Sequence, residues 1–248
     1  MAVGCHPHNA KHYDDALEQK LRDALADPQV SAVGEIGLDY HYDLSPREDQ
    51  QEAFRRQLRV AKEAGLPVIL HVREAHDDAF RILTEEGFPE AGTLLHCFNL
   101  GPDEVKRWVD AGCYIAFGGP ITFKNADEVR EAAKLVPEDR ILTETDAPYM
   151  TPEPLRGNVC GPEHVIYTAA KLAEVRGLGT MQSYERGTFL GKTLDNAHAL
   201  LDRPVTEWQK KRADELGITE QVSTEARSLA AVKKWRAKNG IKHHHHVR

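Results

Sequence analysis

Residues 34–40 of this chain have the sequence Gly-Glu-Ile-Gly-Leu-Asp-Tyr and directly follow an apolar run at residues 30–33. The apolar run predicts a short buried strand. Gly34 and Gly37 on either side of Glu35 are unfavourable inside a strand, because glycine has no side chain to pack. Glycine is favourable where a strand ends and the backbone must open around a ligand. The pattern therefore predicts that the strand ends here and presents Glu35 to a site.

Three later apolar segments end in the same way, in a polar side chain. They lead into His71, His96 and Asp146. With Glu35, four strand ends thus offer two carboxylates and two imidazoles. We expect these four side chains to lie at one mouth of a sheet and to form one site.

Strand patterns alternate with helical patterns six times, with short loops between them, over residues 1–201. This alternation predicts parallel strands in an α/β architecture. In a (β/α)8 barrel the functional groups lie at the carboxyl ends of the strands, whereas an open sheet binds ligands near its switch point. Four contributing strands favour the TIM-barrel type, although the chain accounts for six strands of the eight.

The longest predicted helix follows the Glu35 segment. Ser45 and Glu48 have the spacing of a capping box, with Pro46 at the first helical position. Gly65 predicts the end of this helix. The side chains expected to face the core are Phe54, Leu58 and Ala61.

Composition limits the possible function classes. The chain has 248 residues, 41% of them hydrophobic, which is enough for one large core. The net charge of the whole chain is -7, which does not attract nucleic acid or an anionic membrane.

No apolar run approaches the ~20 residues of a membrane span. Early charged residues such as Lys11 and Asp14 do not fit a signal peptide, and four cysteines without a C-x-x-C pair favour a reducing compartment. We therefore expect a cytoplasmic protein with no membrane partner.

The segment after residue 201 differs from the rest of the chain. It carries 11 Lys and Arg against 6 Asp and Glu, and amphipathic helices are expected at residues 205–216 and 224–238. We therefore divide the chain into a barrel domain, residues 1–201, and a basic helical extension, residues 202–248. The extension either contacts nucleic acid or is a solvated helical addition. No role is assigned to the histidines at 243–246.

Histidine combined with carboxylate favours divalent ions such as Zn²⁺ or Mn²⁺, with Mg²⁺ suited to sites rich in carboxylate and water. A bridging carboxylate can hold two ions ~3.5–4 Å apart, an arrangement used in phosphate-ester hydrolysis. Taken singly, each of the four residues has a purely structural explanation, such as a core histidine or a turn aspartate. Their common position at strand ends favours a metal site.

Five further residues are candidates near this site. Arg73 lies two residues beyond His71 and either binds a phosphate or forms a surface ion pair with a neighbouring acid. Arg156 is a second phosphate candidate in the loop after Asp146. His6 and His8 are expected to line the site without binding the ion. Cys97 is either a soft metal ligand or a small buried strand residue, and we favour the latter.

Residues 4–8, 34–40, 70–73, 96–98 and 145–149 resemble, in this order, the successive motifs of the TatD family of metal-dependent hydrolases. The resemblance extends over about residues 2–201. It implies a (β/α)8 barrel and activity as a deoxyribonuclease that releases nucleotides from DNA 3′ ends, with single-stranded or 3′-terminal DNA as the substrate. The family also includes enzymes that remove D-amino acids from tRNA, so the resemblance leaves the substrate open.

The resemblance also implies roles for the four site residues. Glu35 would bridge two divalent ions (Mg²⁺, Mn²⁺ or Zn²⁺), His71 and His96 would bind one of them, and Asp146 would bind the other and activate water. The family's first strand carries a His-x-His pair that has no counterpart here, as if the chain lacked the first two strand–helix units. We therefore expect weak metal binding from the chain as given. The alternative is a catalytically impaired remnant that acts as a binding module.

Overall fold

The structure is a computed structural model that describes residues 1–179 and 184–218. These residues form two compact units, one of residues 1–91 with those after 202, the other of residues 92–202. The helix expected at 224–238 and the histidines at 243–246 lie outside the described residues.

The first unit is a parallel β-sheet with a helix after each strand. Its sheet order is the chain order, and a 3-10 helix, Pro7–His12, follows the first strand. Its elements are β1 (Ala2–Val3), α1 (Asp15–Ala24), β2 (Ala32–Asp39), α2 (Arg47–Ala64), β3 (Val68–Arg73) and α3 (His76–Glu86).

The second unit repeats this plan with three short parallel strands in chain order. Two 3-10 helices, Gly119–Thr122 and Pro162–His164, interrupt its connections. Its elements are β4 (Thr93–Leu95), α4 (Pro102–Asp110), β5 (Tyr114–Phe117), α5 (Asp127–Leu135), β6 (Ile141–Thr143), α6 (Val165–Val175) and α7 (Tyr184–Leu201). The six parallel strands and alternating helices confirm the α/β fold of TIM-barrel type.

A last described helix, α8 (Glu207–Glu215), confirms the position of the first helix expected in the extension but has no apolar face, and it belongs to the first unit. Its capping residue Thr206 donates through Oγ1 to the carbonyl of Ala64, 2.8 Å away. Gln209 is buried and donates to the carbonyls of Leu25 and Val30, at 2.9 and 3.0 Å. These three carbonyls precede β2 and β3, so α8 packs where these strands begin.

The expectation that a strand ends at Glu35 is wrong. β2 continues to Asp39, and its pairing with β3 shifts register between Gly34 and Ile36, which leaves Glu35 in a bulge. A Cβ on Gly34 would lie 2.7 Å from the Cβ of Ile69. The glycine therefore serves the close approach of two strands, and the bulge is what presents the carboxylate.

At Gly37 the backbones of β2 and β3 approach each other even more closely than at Gly34. The φ of Gly37 is +142°, and a Cβ there would lie 2.0 Å from the carbonyl oxygen of His71. No side chain fits between β2 and β3 at this point, so glycine is required both by conformation and by space.

The predicted capping role of Ser45 is also wrong. α2 begins at Arg47 after Pro46, with no side-chain cap. The hydroxyl of Ser45 donates to the carbonyl of His8 at 2.8 Å and accepts from the backbone N–H of Lys11 at 3.1 Å. Ser45 therefore stabilises the 3-10 helix Pro7–His12. The predicted end of α2 at Gly65, in a left-handed conformation, and the burial of Phe54, Leu58 and Ala61 are confirmed.

Replacing Gly37 by alanine should destabilise the protein by more than about 3 kcal/mol, because it adds a backbone clash to an unfavourable φ. Gly112→Ala is the matched control, since Gly112 has a φ of +82° but nothing within 4 Å of the added Cβ. It should cost only about 1–2 kcal/mol of conformational strain. Urea unfolding measures both, and equal losses would contradict the close approach.

Candidate metal and active site

Asp39 ends β2 with a side chain that is fully buried. Its Oδ2 accepts hydrogen bonds from Nε2 of His8 at 2.9 Å and Nε2 of His71 at 2.8 Å. Its Oδ1 accepts from the backbone N–H groups of His41, at 3.1 Å, and Tyr42, at 2.8 Å. Burial raises the pKa of Asp39, but these hydrogen bonds outweigh burial and hold the pKa well below its ordinary value. The group is therefore an ionised acceptor at neutral pH.

An ionised carboxylate can only accept, so His71 carries its proton on Nε2 and keeps a lone pair on Nδ1. A carboxylate that fixes the tautomer through the other ring nitrogen is the usual support of a metal-binding histidine. Sequence reasoning missed this role of Asp39. No sequence pattern marked this role, because it depends on which ring nitrogen the carboxylate meets, and side-chain rotation decides that.

Around Glu35 the first unit gathers three imidazoles. Nε2 of His6 lies 3.7 Å from Oε2 of Glu35. A ring nitrogen of His71 lies within 4.8 Å of a Glu35 oxygen, and donor nitrogens of His6, His8 and His71 lie equally close to one another. His6 and His8 are thus beside the two predicted ligands of this unit.

Two buried glutamines on α2 hold the backbone of this half of the site, and neither was identified from the sequence. Gln50 accepts from the N–H of Asp39 at 2.8 Å and donates to its carbonyl at 3.2 Å. Gln57 does the same for Cys5, at 2.7 and 3.2 Å. The two lie seven residues apart, on one helix face, among apolar side chains. Polar residues repeated at that spacing were the signal.

In the second unit, Nδ1 of His96 lies 2.8 Å from Oε2 of Glu144. A carboxylate oxygen accepts this hydrogen bond, so His96 donates from Nδ1 and keeps its lone pair on Nε2. That nitrogen lies 3.7 Å from Oδ1 of Asp146, whose side chain is 31% exposed. The other oxygen of Glu144, Oε1, is buried and has no hydrogen-bond partner among the described residues. Such an oxygen is suited to a cation.

Cys97 is not the small buried strand residue that we expected. β4 ends at Leu95, and Cys97 follows it half-buried with a φ of +49°. Donor atoms of His96, Cys97 and Glu144 lie within 4.8 Å of one another. Asp146 also has a positive φ, +56°. Left-handed conformations cost a non-glycine residue about 1–3 kcal/mol, so the surrounding structure holds both turns in place.

The two arginine candidates both lie against aromatic rings. The guanidinium of Arg73 is 4.8 Å from the ring centre of Tyr42, in the first unit. That of Arg156 is 3.9 Å from the ring centre of Phe123, in the second. A stacked guanidinium is held in one plane while its N–H edges stay available for an anion.

The donors present fit a divalent ion. Ligand atoms ~2.1 Å from one Zn²⁺ can be at most about 4.2 Å apart, so groups within 4.8 Å need only small side-chain shifts. Each unit offers an imidazole nitrogen together with a carboxylate oxygen, the first unit through His71 and Glu35, the second through Nε2 of His96 and Oδ1 of Asp146. This chemistry suits Zn²⁺ or Mn²⁺.

The family model described as TatD related DNase matches residues 1–201. The chain belongs to the TatD family. Uncharacterized metal-dependent hydrolase YabD of Bacillus subtilis is 42% identical over 175 residues, which are 71% of this chain and 69% of that protein. A Shigella flexneri protein named 3′-5′ ssDNA/RNA exonuclease TatD is 35% identical over 180 residues, with the same two shares.

Among solved structures, that of the TatD homologue YjjV from Escherichia coli K12 has a TM-score of 0.73 and 32% sequence identity. The match covers 82% of this chain and 76% of that one. The resemblance inferred from the five motifs is thereby confirmed. The described residues contain no helix long and apolar enough to cross a membrane.

Replacing Asp39 by asparagine should destabilise the protein by about 3 kcal/mol, because an amide group would face two of the four donors. Because its pKa is lowered in the folded protein, the Asp39 carboxylate contributes fully to the free energy of unfolding above about pH 4, its pKa range in the unfolded chain. This contribution is lost as the pH falls towards the lower pKa of the folded state. The difference from the unsubstituted protein should therefore shrink in acid. Glu52→Gln, at an exposed position on α2, is the control. Urea unfolding at several pH values tests both.

Replacing Glu144 by glutamine should weaken Zn²⁺ or Mn²⁺ binding about 10–100-fold, because the amide can donate to Nδ1 of His96 and shift the ring proton to Nε2. Calorimetric titration measures the change. Glu153→Gln, at an exposed position in the same unit, should leave affinity unchanged. Equal affinity in all three proteins would show that Glu144 does not orient His96.

Proposed function

We propose that the protein is a metal-dependent phosphodiesterase that removes nucleotides from the 3′ end of single-stranded DNA or RNA. The observation that carries the proposal is the second unit's triplet, in which Glu144 orients His96 and His96 faces the partly exposed Asp146. An oriented imidazole beside an accessible carboxylate is what binding an ion and activating water require.

In this proposal the ion ligands are Glu35, His71, His96 and Asp146. When bound, a divalent ion supplies Lewis-acid stabilisation of the charge that develops on the phosphate. The chain itself supplies orientation. Asp39 and Glu144 hold the rings of His71 and His96 in one tautomer each, so the lone pairs are in place before an ion arrives.

Asp146 is the proposed base. Its carboxylate takes a proton from the attacking water, for which its partial exposure leaves access. Its backbone conformation, with a φ of +56°, places it in a turn after β6. Arg73 is the proposed phosphate contact, since the ring of Tyr42 holds its guanidinium flat and a fork of N–H groups matches phosphate oxygens. Arg156 is a second contact of the same kind, and His6 and His8 line the pocket for the terminal nucleotide.

The choice of a nucleic-acid substrate is supported by a relative. The Shigella protein is named an exonuclease on single-stranded DNA and RNA, while YabD is an uncharacterized metal-dependent hydrolase. Removal of D-amino acids from tRNA is the alternative that the family leaves open. It is also ester hydrolysis by an activated water, but at a carbonyl carbon.

Replacing Asp146 by asparagine should lower the rate of 3′-nucleotide release by about 10²–10⁴-fold, because an amide cannot accept the water's proton. The measurement is release from a single-stranded oligonucleotide with a 3′-terminal label, with Mn²⁺ added, and urea unfolding confirms that the variant is folded. Asp139→Asn is the control, since its carboxylate is 61% exposed and pairs only with the adjacent Arg140 among the described residues.

A variant at Asp146 that retains nearly full turnover would show that another group activates water. Hydrolysis of a D-aminoacyl-tRNA without release of 3′ nucleotides would replace the proposed substrate and keep the site.

A further inference from the structure

A cleft of about 430 Å³ lies between α8 and the helices α1 and α2 of the first unit. Its walls include Gln19 and Arg22 from α1, Glu63 from α2, and Trp208 and Lys211 from α8. Its volume is in the range of small-molecule and nucleotide sites. The family model ends at residue 201, so this cleft is made by a helix outside the family match.

Among the cationic side chains that line the cleft, the two arginines form ion pairs with described residues and Lys211 does not. Arg22 pairs with Glu63 at 2.9 Å, and Arg212 pairs with Glu215 at 2.8 Å and also with Asp23. Lys211 is exposed and makes no ion pair with any described residue. An anion that enters the cleft therefore meets an ammonium group without first breaking an ion pair.

The half-buried indole of Trp208 lines the same cleft. An aromatic face beside an available cation is the combination that binds single-stranded nucleic acid, in which bases stack and phosphates are neutralised. The pair is less suited to a membrane surface. Insertion needs an apolar helix face, and α8, with the sequence Glu-Trp-Gln-Lys-Lys-Arg-Ala-Asp-Glu, has no such face.

The sequence beyond α8 repeats this chemistry. Residues 219–248 contain seven Lys and Arg against two Glu, and Trp235 stands among Lys233, Lys234 and Arg236. Residues 1–201 contain 21 Lys and Arg against 33 Asp and Glu. Positive charge is therefore concentrated in the extension, which alone would attract a polyanion.

We propose that the α8 cleft is a second binding site for single-stranded nucleic acid, which holds the strand at a distance from its reacting 3′ end. The inference rests on the proposed nuclease function. Tethering the substrate in this way raises its effective concentration at the catalytic groups without changing the chemical step.

The position of α8 predicts a dependence on strand length. It packs where β2 begins, whereas Asp39 lies where β2 ends, and eight strand residues span roughly 26 Å. At about 3.4 Å per nucleotide, a stacked strand needs at least about eight nucleotides to cover that distance. A stacked strand shorter than this cannot occupy both sites, and a strand of about two or three nucleotides is too short even when it is unstacked.

The test compares Lys211→Ala with Lys210→Ala, a matched control on the same helix whose ammonium pairs with Glu207 at 2.6 Å. Fluorescence anisotropy measures binding of a single strand of about 25 nucleotides in EDTA, which prevents hydrolysis. Lys211→Ala should weaken binding roughly 3- to 10-fold and lower the salt slope by about 0.7, the share of one phosphate contact. Trp208→Ala should also weaken binding, with an unchanged urea midpoint confirming the fold.

Kinetics give the second readout. For the long strand, Lys211→Ala should raise KM by the same factor and leave kcat unchanged, while a strand of about three nucleotides should show no change. Equal effects of Lys210→Ala and Lys211→Ala, or an equal effect on the short strand, would overturn the proposal. The proposal would also be overturned if the protein bound phosphatidylserine vesicles through Lys211 but showed no Lys211-dependent binding of the oligonucleotide.

The two proposals can fail separately. If the unsubstituted protein releases no nucleotides but the Lys211-dependent binding persists, the nuclease function fails and the binding site stands. If nucleotides are released with the same KM in all variants, the second site fails and the nuclease function stands.

Discussion

The first unit depends on one buried carboxylate. Asp39 is fully removed from solvent, and an ionised group there costs several kcal/mol unless hydrogen bonds replace its water. Four donors do so, two imidazoles and two backbone N–H groups. Each of these donors must point at the carboxylate of Asp39. Its hydrogen bonds therefore fix the position of the end of β2, the turn that follows it, and the orientation of the His8 and His71 rings. Gln50 in turn holds the backbone that carries the carboxylate.

That arrangement requires β2 and β3 to lie unusually close, which only glycine allows. Gly37 lets the carbonyl of His71 approach to a distance that no Cβ tolerates, and Gly34 does the same beside Ile69. The register shift beside Gly34 leaves Glu35 in a bulge of a strand that continues past it to Asp39. A residue larger than glycine at position 34 or 37 would push β2 away from β3. It would therefore also separate the carboxylate of Asp39 from the ring of His71, which it orients.

Local patterns were sufficient to predict the alternation of strands and helices, the end of α2 at Gly65, and the placement of His71 on β3. His96 was expected on its strand and instead follows the end of β4 directly. Local patterns failed where a tertiary hydrogen bond competes with a local one. Ser45 has the spacing of a cap, but its hydroxyl bonds the Pro7–His12 turn. Asp39 and Glu144 were overlooked as orienting groups, because what distinguishes them is which ring nitrogen they meet. That choice depends on side-chain rotation, which neither periodicity nor residue type encodes.

The two units reach similar chemistry through opposite ring orientations. Asp39 accepts from Nε2 of His71, so Nδ1 keeps the lone pair, whereas Glu144 binds Nδ1 of His96 and leaves Nε2. The same motif in sequence, a histidine after a buried apolar run, therefore presents different donor atoms. In each case a carboxylate sets the tautomer during folding. An ion bound by the proposed ligands would meet imidazoles that are already oriented, and its binding would not include the cost of ordering them.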